Sequence, residues 1–305
     1  MVNEKLKIAF SSKYIYELPD NHRFPIQKYE LLKDQLIRDD IAFEENFYEA
    51  GLVEKDVLKK AHSSEYVEKV INQKLSKKEV RKIGLPIYDV SISRALNSVQ
   101  ATLDSSDYAL ETGLGINIGG GTHHAYIDHG EGFSIFNDLA VAASNLLSEN
   151  RVKRVLIVDL DVHQGNGTAS IFQNDDRVYT MSFHGKNNYP LKKEKSDLDI
   201  AFDDFTEDSQ YLLELEKYLP KIIKIHKPDI VFYQAGVDIL KTDLLGKLSI
   251  SKEGCKERDR IMFQNVRNNN IPILITLGGG YSALLKDNIN AHRNTISEAV
   301  DIIFG

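Results

Sequence analysis

The sequence predicts an α/β protein with a mainly parallel sheet, on three observations. The apolar runs Val155–Val158 and Ile273–Leu277, and the run that opens Ile230–Asp238, read as strands buried on both faces. Helical patterns separate these runs, so strands and helices alternate from end to end. The runs end in glycines and polar residues. In open α/β sheets the carboxyl ends of strands are where ligands bind.

The elements follow in order. Lys7–Phe10 reads as a first strand. His22-Arg-Phe-Pro25 is a loop, with His22 read as a surface residue. A helix runs from about Ile26 to Arg38, with Tyr29, Leu32, Leu36 and Ile37 on one side. Leu52–Leu75 is helical and charged, with nothing catalytic in it. An amphipathic helix covers about Ser91 to Glu111 and stops at Gly113. The strand at Gly115-Ile-Asn-Ile118 ends in three glycines and the paired His123 and His124. No G-x-x-x-x-G-K-[ST] is present there, so these glycines are not a phosphate loop. A helix from about Asp138 to Glu149 takes Asn137 or Asp138 as N-cap. Val178–Phe183 is a strand, and Lys186–Asp204 is a polar loop. The helix from about Asp208 must adjust at Pro220. Lys252–Asn268 and Asn288–Phe304 complete the helices.

The 305 residues are 42% hydrophobic and 27% charged, an ordinary globular composition long enough for a substantial core. No linker or repeat divides them, so residues 1–305 read as one domain. The net charge of -7, with no dense Lys/Arg cluster, argues against direct nucleic-acid binding. The single cysteine, Cys255, excludes an intrachain disulfide and has no His/Asn context for a nucleophile. There is no signal-peptide apolar region and no stretch near the eighteen or so residues of a membrane span, so a cytoplasmic, membrane-free protein is expected.

The chemistry concentrates in Asp159-Leu-Asp-Val-His-Gln-Gly-Asn-Gly-Thr168. Asp159, Asp161 and His163 alternate after a buried strand, which puts them on one face. Gly165 and Gly167 permit a tight turn. Two carboxylates and an imidazole without thiolate suit a catalytic zinc or iron better than a closed structural zinc. Asp238 and Tyr281 end two other strands, so the sheet edge can gather all these groups with His123 and His124.

Thr122-His-His-Ala125, the Asp159–Thr168 segment, Ala235-Gly-Val-Asp238 and Gly278-Gly-Gly-Tyr281 together resemble the histone deacetylase family of the arginase/deacetylase fold. The resemblance runs from His22-Arg-Phe-Pro25 to the final helix. The form Leu277-Gly-Gly-Gly-Tyr-Ser282 and the compact length are most similar to bacterial members near the class IV branch. The resemblance implies a three-layer α/β/α sandwich and a Zn2+-dependent amidohydrolase, with Fe2+ as the other candidate ion. Asp161, His163 and Asp238 would be the ligands. His124 would be the general base and acid, His123 its tandem partner, Asp159 the orienter of His123 and Asn166 that of His124. Asn166 stands where many members have an aspartate, and an amide there should raise the pKa of His124 less. Tyr281 would donate to the substrate carbonyl. Gly132, Phe133 and Tyr189 would line the acyl channel. Main-chain oxygens near Asp159, Asp161 and His163, with Ser182 and Phe183, match a structural K+ or Na+ site. One departure stands out: members usually carry Asp-Pro after the third ligand, and here Asp243 precedes Leu244.

The implied substrate is an acyl-lysine protein or peptide, or alternatively an acetylpolyamine or other small acylated amine. A polyamine enzyme would need an acidic gatekeeper, which the sequence does not reveal. An arginase-type two-manganese site would want more carboxylates than Gly236-Val-Asp238 supplies. A non-catalytic binder would predict loss of Tyr281, a histidine or a ligand, and none is lost.

Overall fold

The computed structural model describes residues 4–20 and 22–305. In chain order the strands are β1 (Ile8–Ala9), β2 (Phe47–Tyr48), β3 (Leu114–Asn117), β4 (Val155–Asp159), β5 (Val178–Gly185), β6 (Leu198–Phe202), β7 (Ile230–Gln234) and β8 (Ile273–Thr276). The helices are α1 (Lys28–Arg38), α2 (Lys55–Leu58), α3 (Ser64–Ile71), α4 (Lys77–Ile83), α5 (Asp89–Thr112), α6 (Asp138–Ser148), α7 (Asn166–Phe172), α8 (Asp208–His226), α9 (Lys252–Asn268) and α10 (Leu285–Phe304).

The strands form one sheet in the order β2-β1-β3-β8-β7-β4-β5-β6, and every neighbouring pair is parallel. Side-chain alternation divides the core into two layers. Leu156, Val158, Val231, Tyr233, Ile273 and Ile275 pack with residues of α1, α8, α9 and α10 on one face. Val155, Ile157, Ile230, Phe232 and Leu274 pack with α3, α5 and α6 on the other. The result is the three-layer α/β/α arrangement. Parallel pairing sends the carboxyl ends of β3, β4, β7 and β8 to one edge, and the register sets Asp159 beside Gln234 and Gln234 beside Thr276.

Several expectations need correction. The helical reading of Leu52–Leu75 breaks into α2 and α3, because Ser63 caps a new helix by accepting from the Tyr66 N–H. The polar loop Lys186–Asp204 contains β6, an edge strand whose outer residues are half-exposed and so carry no apolar run. The short β2, α4 and α7 were not expected. Helix α8 runs through Pro220 without a break. Gly113 ends α5 in the left-handed region at φ +96°, and Asn137 caps α6, both as expected.

Candidate functional site

Strand β4 ends at Asp159, so Asp161 and His163 come from the loop that follows, not from the strand itself. The alternation still holds, because Leu160 and Val162 are fully buried in the core while the polar residues point the other way. Asp161, His163 and Asp238 place three ligand-type atoms within 4.8 Å of one another. The His163 Nδ1 lies 3.1 Å from Asp161 and 3.0 Å from Asp238. Main-chain N–H groups hold both carboxylates. Gly279 and His163 donate to Asp161 at 2.8 and 3.0 Å, and Val162 donates to Asp238 at 2.9 Å.

Electrostatics and space both fit a cation here. Burial, and then the neighbouring Asp161 carboxylate, push Asp238 up to about 7. Two carboxylates buried together call for positive charge between them. Glycine makes the packing around them possible. A Cβ at Gly236 would collide with Asp161, and one at Gly279 would collide with Asp238 and lie 2.9 Å from Asp161. Three protein ligands of this type leave room in the coordination of zinc or iron for water or substrate.

The tandem histidines sit beside this group. Their ring centroids are 4.1 Å apart, and the His124 ring is 6.1 Å from that of His163. The His123 Nδ1–H donates to Asp159 at 2.6 Å. Burial disfavours its charged form, but the Asp159 carboxylate outweighs that and pushes His123 up to about 9. His124 goes the other way. Burial and then the charge of His123 hold its pKa well below the ordinary imidazole value, so the ring is neutral. The His124 Nδ1–H donates to Asn166 Oδ1 at 2.7 Å, which leaves Nε2 as the acceptor.

Gly165 forms the expected tight turn at φ −71° and ψ 65°, closed by the Asn166 N–H on the Gln164 carbonyl at 2.8 Å, and Gly167 lies in the first turn of α7. They are small because Asp159 and the Ala125 carbonyl lie where side chains would be. The other glycine loop, Gly119–Gly121, is held by Asp138, which accepts from the N–H groups of Gly121 and Thr122 at 3.0 and 2.7 Å.

A cavity of about 340 Å³ opens onto this edge, lined among others by His124, Gly132, Phe133, His163, Tyr189 and Tyr281. The Tyr281 ring lies 6.3 Å from His163 and 6.2 Å from Phe133. Burial, then Asp238, hold its phenol well above the ordinary value, so it stays a donor. Phe133 is fixed at φ +64°, an uncommon conformation for a bulky residue, behind Gly132 at φ +55°. Its N–H donates to the Ile83 carbonyl at 2.7 Å. His22, expected at the surface, packs its ring 5.6 Å from Phe133 and bonds the Gly84 carbonyl at 2.9 Å. Tyr189 stands at the mouth, 39% exposed, with its ring 5.1 Å from that of His124. Ser182 neighbours Asp159 across β4 and β5, and both Ser182 and Phe183 are buried.

Sequence reasoning missed two groups here. Glu131 is buried and bonds both Asn166 and Tyr189. His62 is buried against the segment that carries the tandem histidines. Neither belongs to a recognisable motif.

The profile of the Histone deacetylase domain matches residues 22–296. An uncharacterised protein of Picosynechococcus sp. is 38% identical over 295 residues, covering 97% of this chain and 98% of that one. Histone deacetylase 2 of Arabidopsis thaliana is 36% identical over 186 residues, 60% of this chain and 48% of the plant protein. The fold is also that of an HDAC homolog from Aquifex aeolicus, with a TM-score of 0.83 at 20% identity, covering 98% of this chain and 88% of that chain.

Proposed function

The chain belongs to the histone deacetylase family, hydrolases that act on amides, and on that premise we propose that it removes acyl groups from lysine side chains through a single-metal site. The observation that supports this reading is the convergence of the Asp161, His163 and Asp238 group, a neutral His124 and the Tyr281 phenol on one cavity. Asp161, His163 and Asp238 would hold Zn2+ or Fe2+. Bound there, the ion would polarise the amide carbonyl and lower the pKa of water.

The residues of the chain divide the remaining work. His124 Nε2 takes a proton from the attacking water as oxygen bonds to the acyl carbon. The Tyr281 hydroxyl donates to the carbonyl oxygen as negative charge develops on it. Protonated His124 then returns its proton to the leaving nitrogen as the C–N bond breaks, giving a free amine and a carboxylate. Asp159 fixes His123, and Asn166 fixes the tautomer of His124. Gly132, Phe133 and Tyr189 enclose the acyl-lysine stem. The main-chain oxygens around Asp159, Asp161, His163, Ser182 and Phe183 would take K+ or Na+, and one domain spanning residues 1–305 carries the whole site.

The cavity mouth favours acyl-lysine in a peptide over an acylated polyamine. Arg23, Lys82 and Lys247 line it, and no carboxylate does among the described residues. The carboxylates that pair with two of these cations, Glu131 with Lys82 at 2.6 Å and Asp204 with Lys247 at 3.8 Å, lie outside the cavity lining, so a polycationic substrate would meet cations rather than acidic partners. The test is kcat/KM on a panel of acyl-lysine peptides and acylpolyamines with defined metal loading. Preference for peptides is expected, and preference for polyamines would reverse the substrate assignment. A helix long and apolar enough to cross a membrane is absent among the described residues.

A further inference from the structure

His124 is oriented by an amide, and an amide carries no net charge to offset an imidazolium. The charge lies one residue further out. The Asn166 amide nitrogen donates to Glu131 Oε1 at 2.6 Å and to the Tyr126 hydroxyl at 3.0 Å. With its NH2 group committed to these acceptors, Asn166 can only present Oδ1 to His124, at 2.7 Å. Glu131 is 5% exposed. Its Oε1 also accepts from the Tyr189 hydroxyl at 2.7 Å, and its Oε2 pairs with Lys82 at 2.6 Å and lies 3.6 Å from His129. Burial pushes its pKa up, but the hydrogen bonds from His129, Lys82, Tyr189 and Asn166 outweigh this and keep it ionised.

We propose that Glu131 is a positioning residue for the proton transfer, supplying through the Asn166 amide the negative charge that stabilises His124 once it is protonated. Lys82 sits on the far oxygen of the carboxylate, so Oε1 remains the face turned toward Asn166 and His124. Hydrogen bonds in such a chain polarise one another. The amide oxygen facing His124 is therefore a stronger acceptor than that of an isolated Asn. The same carboxylate anchors Tyr189, so one group ties the base to the channel wall. The inference rests on the deacylase reading for its kinetic consequence, but not for its structural one.

The arrangement predicts the outcome of a charge transposition. Glu131→Gln keeps size and removes the charge, and kcat on an acyl-lysine peptide should fall on the order of 10–100-fold, as for other outer-sphere partners. KM should change less, because a role confined to anchoring Tyr189 would move KM instead. Asn166→Asp alone sets two carboxylates against each other, which must share a proton. The double variant Asn166→Asp/Glu131→Gln moves the charge inward by one residue and should recover most of the lost kcat. It also carries the test if either single variant folds poorly.

A second readout does not depend on catalysis. The proton NMR resonance of the His124 Nδ1–H should move upfield in Glu131→Gln and return downfield in the double variant. An unchanged resonance together with wild-type kcat in Glu131→Gln would overturn the proposal, as would a double variant no more active than the single. A wild-type protein inactive on every acyl-lysine peptide would overturn the deacylase reading alone, and the resonance would still decide the role of Glu131.

Discussion

The carboxylate of Asp243 accepts the main-chain N–H of Tyr281 at 2.6 Å. That bond fastens the loop after Asp238 to the strand end carrying the phenol. The other oxygen of Asp243 accepts from Leu245 and Gly246 at 2.8 and 2.7 Å. The departure at Leu244 has a role in the same fastening. Its N–H donates to the Tyr281 carbonyl at 3.2 Å, a bond that proline could not make. Asp243→Asn would turn an NH2 group toward an N–H donor at one of these contacts. The variant should keep its metal and lose kcat by up to about 10²-fold, the scale of a misplaced catalytic group. Steady-state kinetics with parallel metal analysis checks this, and wild-type kcat would show that Tyr281 is held by other means.

Much of this site was legible in the sequence because its residues end strands. β4, β7 and β8 are buried on both faces and read as apolar runs, so the polar residues after them stand out, while β3 is marked by the three glycines and paired histidines that follow it. Edge strands gave no such signal. β6 is partly exposed from Leu198 to Ile200 and exposed at Ala201, so it looks like loop. Helix α4 did carry a local signal, the capping box of Ser76 and Glu79. Glu131 carried none. An acidic residue between two glycines reads as a surface turn, and only the approach of Lys82, Asn166 and Tyr189 from three distant segments buries it.

Metal content tests the ligand set. One divalent transition metal per chain is expected, and Asp161→Ala, His163→Ala and Asp238→Ala should each lose it. Gly279→Ala should also weaken binding without removing a ligand, because its methyl group would press on Asp238 and lie 2.9 Å from Asp161. Elemental analysis and isothermal titration of the metal-free protein measure both effects. Two equivalents in the native protein would favour an arginase-type site, and full activity in a saturating chelator would remove the metal chemistry.

Tyr281→Phe separates the phenol from the ligands. The ring and its packing against Phe133 and His163 are retained, while one donor to the developing oxyanion is lost. Losing such a donor costs on the order of 10²–10³ in kcat. Metal content, thermal stability and peptide binding should stay near wild type. A kcat within about threefold of wild type would refute the assigned role, since a transition-state interaction must show in kcat.

Acid stability should depend on His62, which lies outside the catalytic group and binds two parts of its frame together. Its Nδ1–H donates to the Tyr126 carbonyl at 2.8 Å, and its Nε2 accepts the Asn137 N–H at 2.9 Å. Asn137 in turn caps α6 and bonds the carbonyls of His123 and Ala125. Both ring nitrogens are thus satisfied only in the neutral form. Burial lowers the His62 pKa from 6.5 to about 4 in the folded protein. Between these values the unfolded chain binds the proton that the folded chain refuses, so stability rises with pH across that interval. The contribution is fully present above pH 6.5, declines as pH falls toward 4, and is gone below it. Its full size is roughly 3 kcal/mol. Denaturant unfolding at a series of pH values should show this loss in the wild type. His62→Gln, which cannot titrate, should be less stable at neutral pH and show a flatter profile from 6.5 to 4. A variant as steep as the wild type would assign the acid sensitivity to other groups.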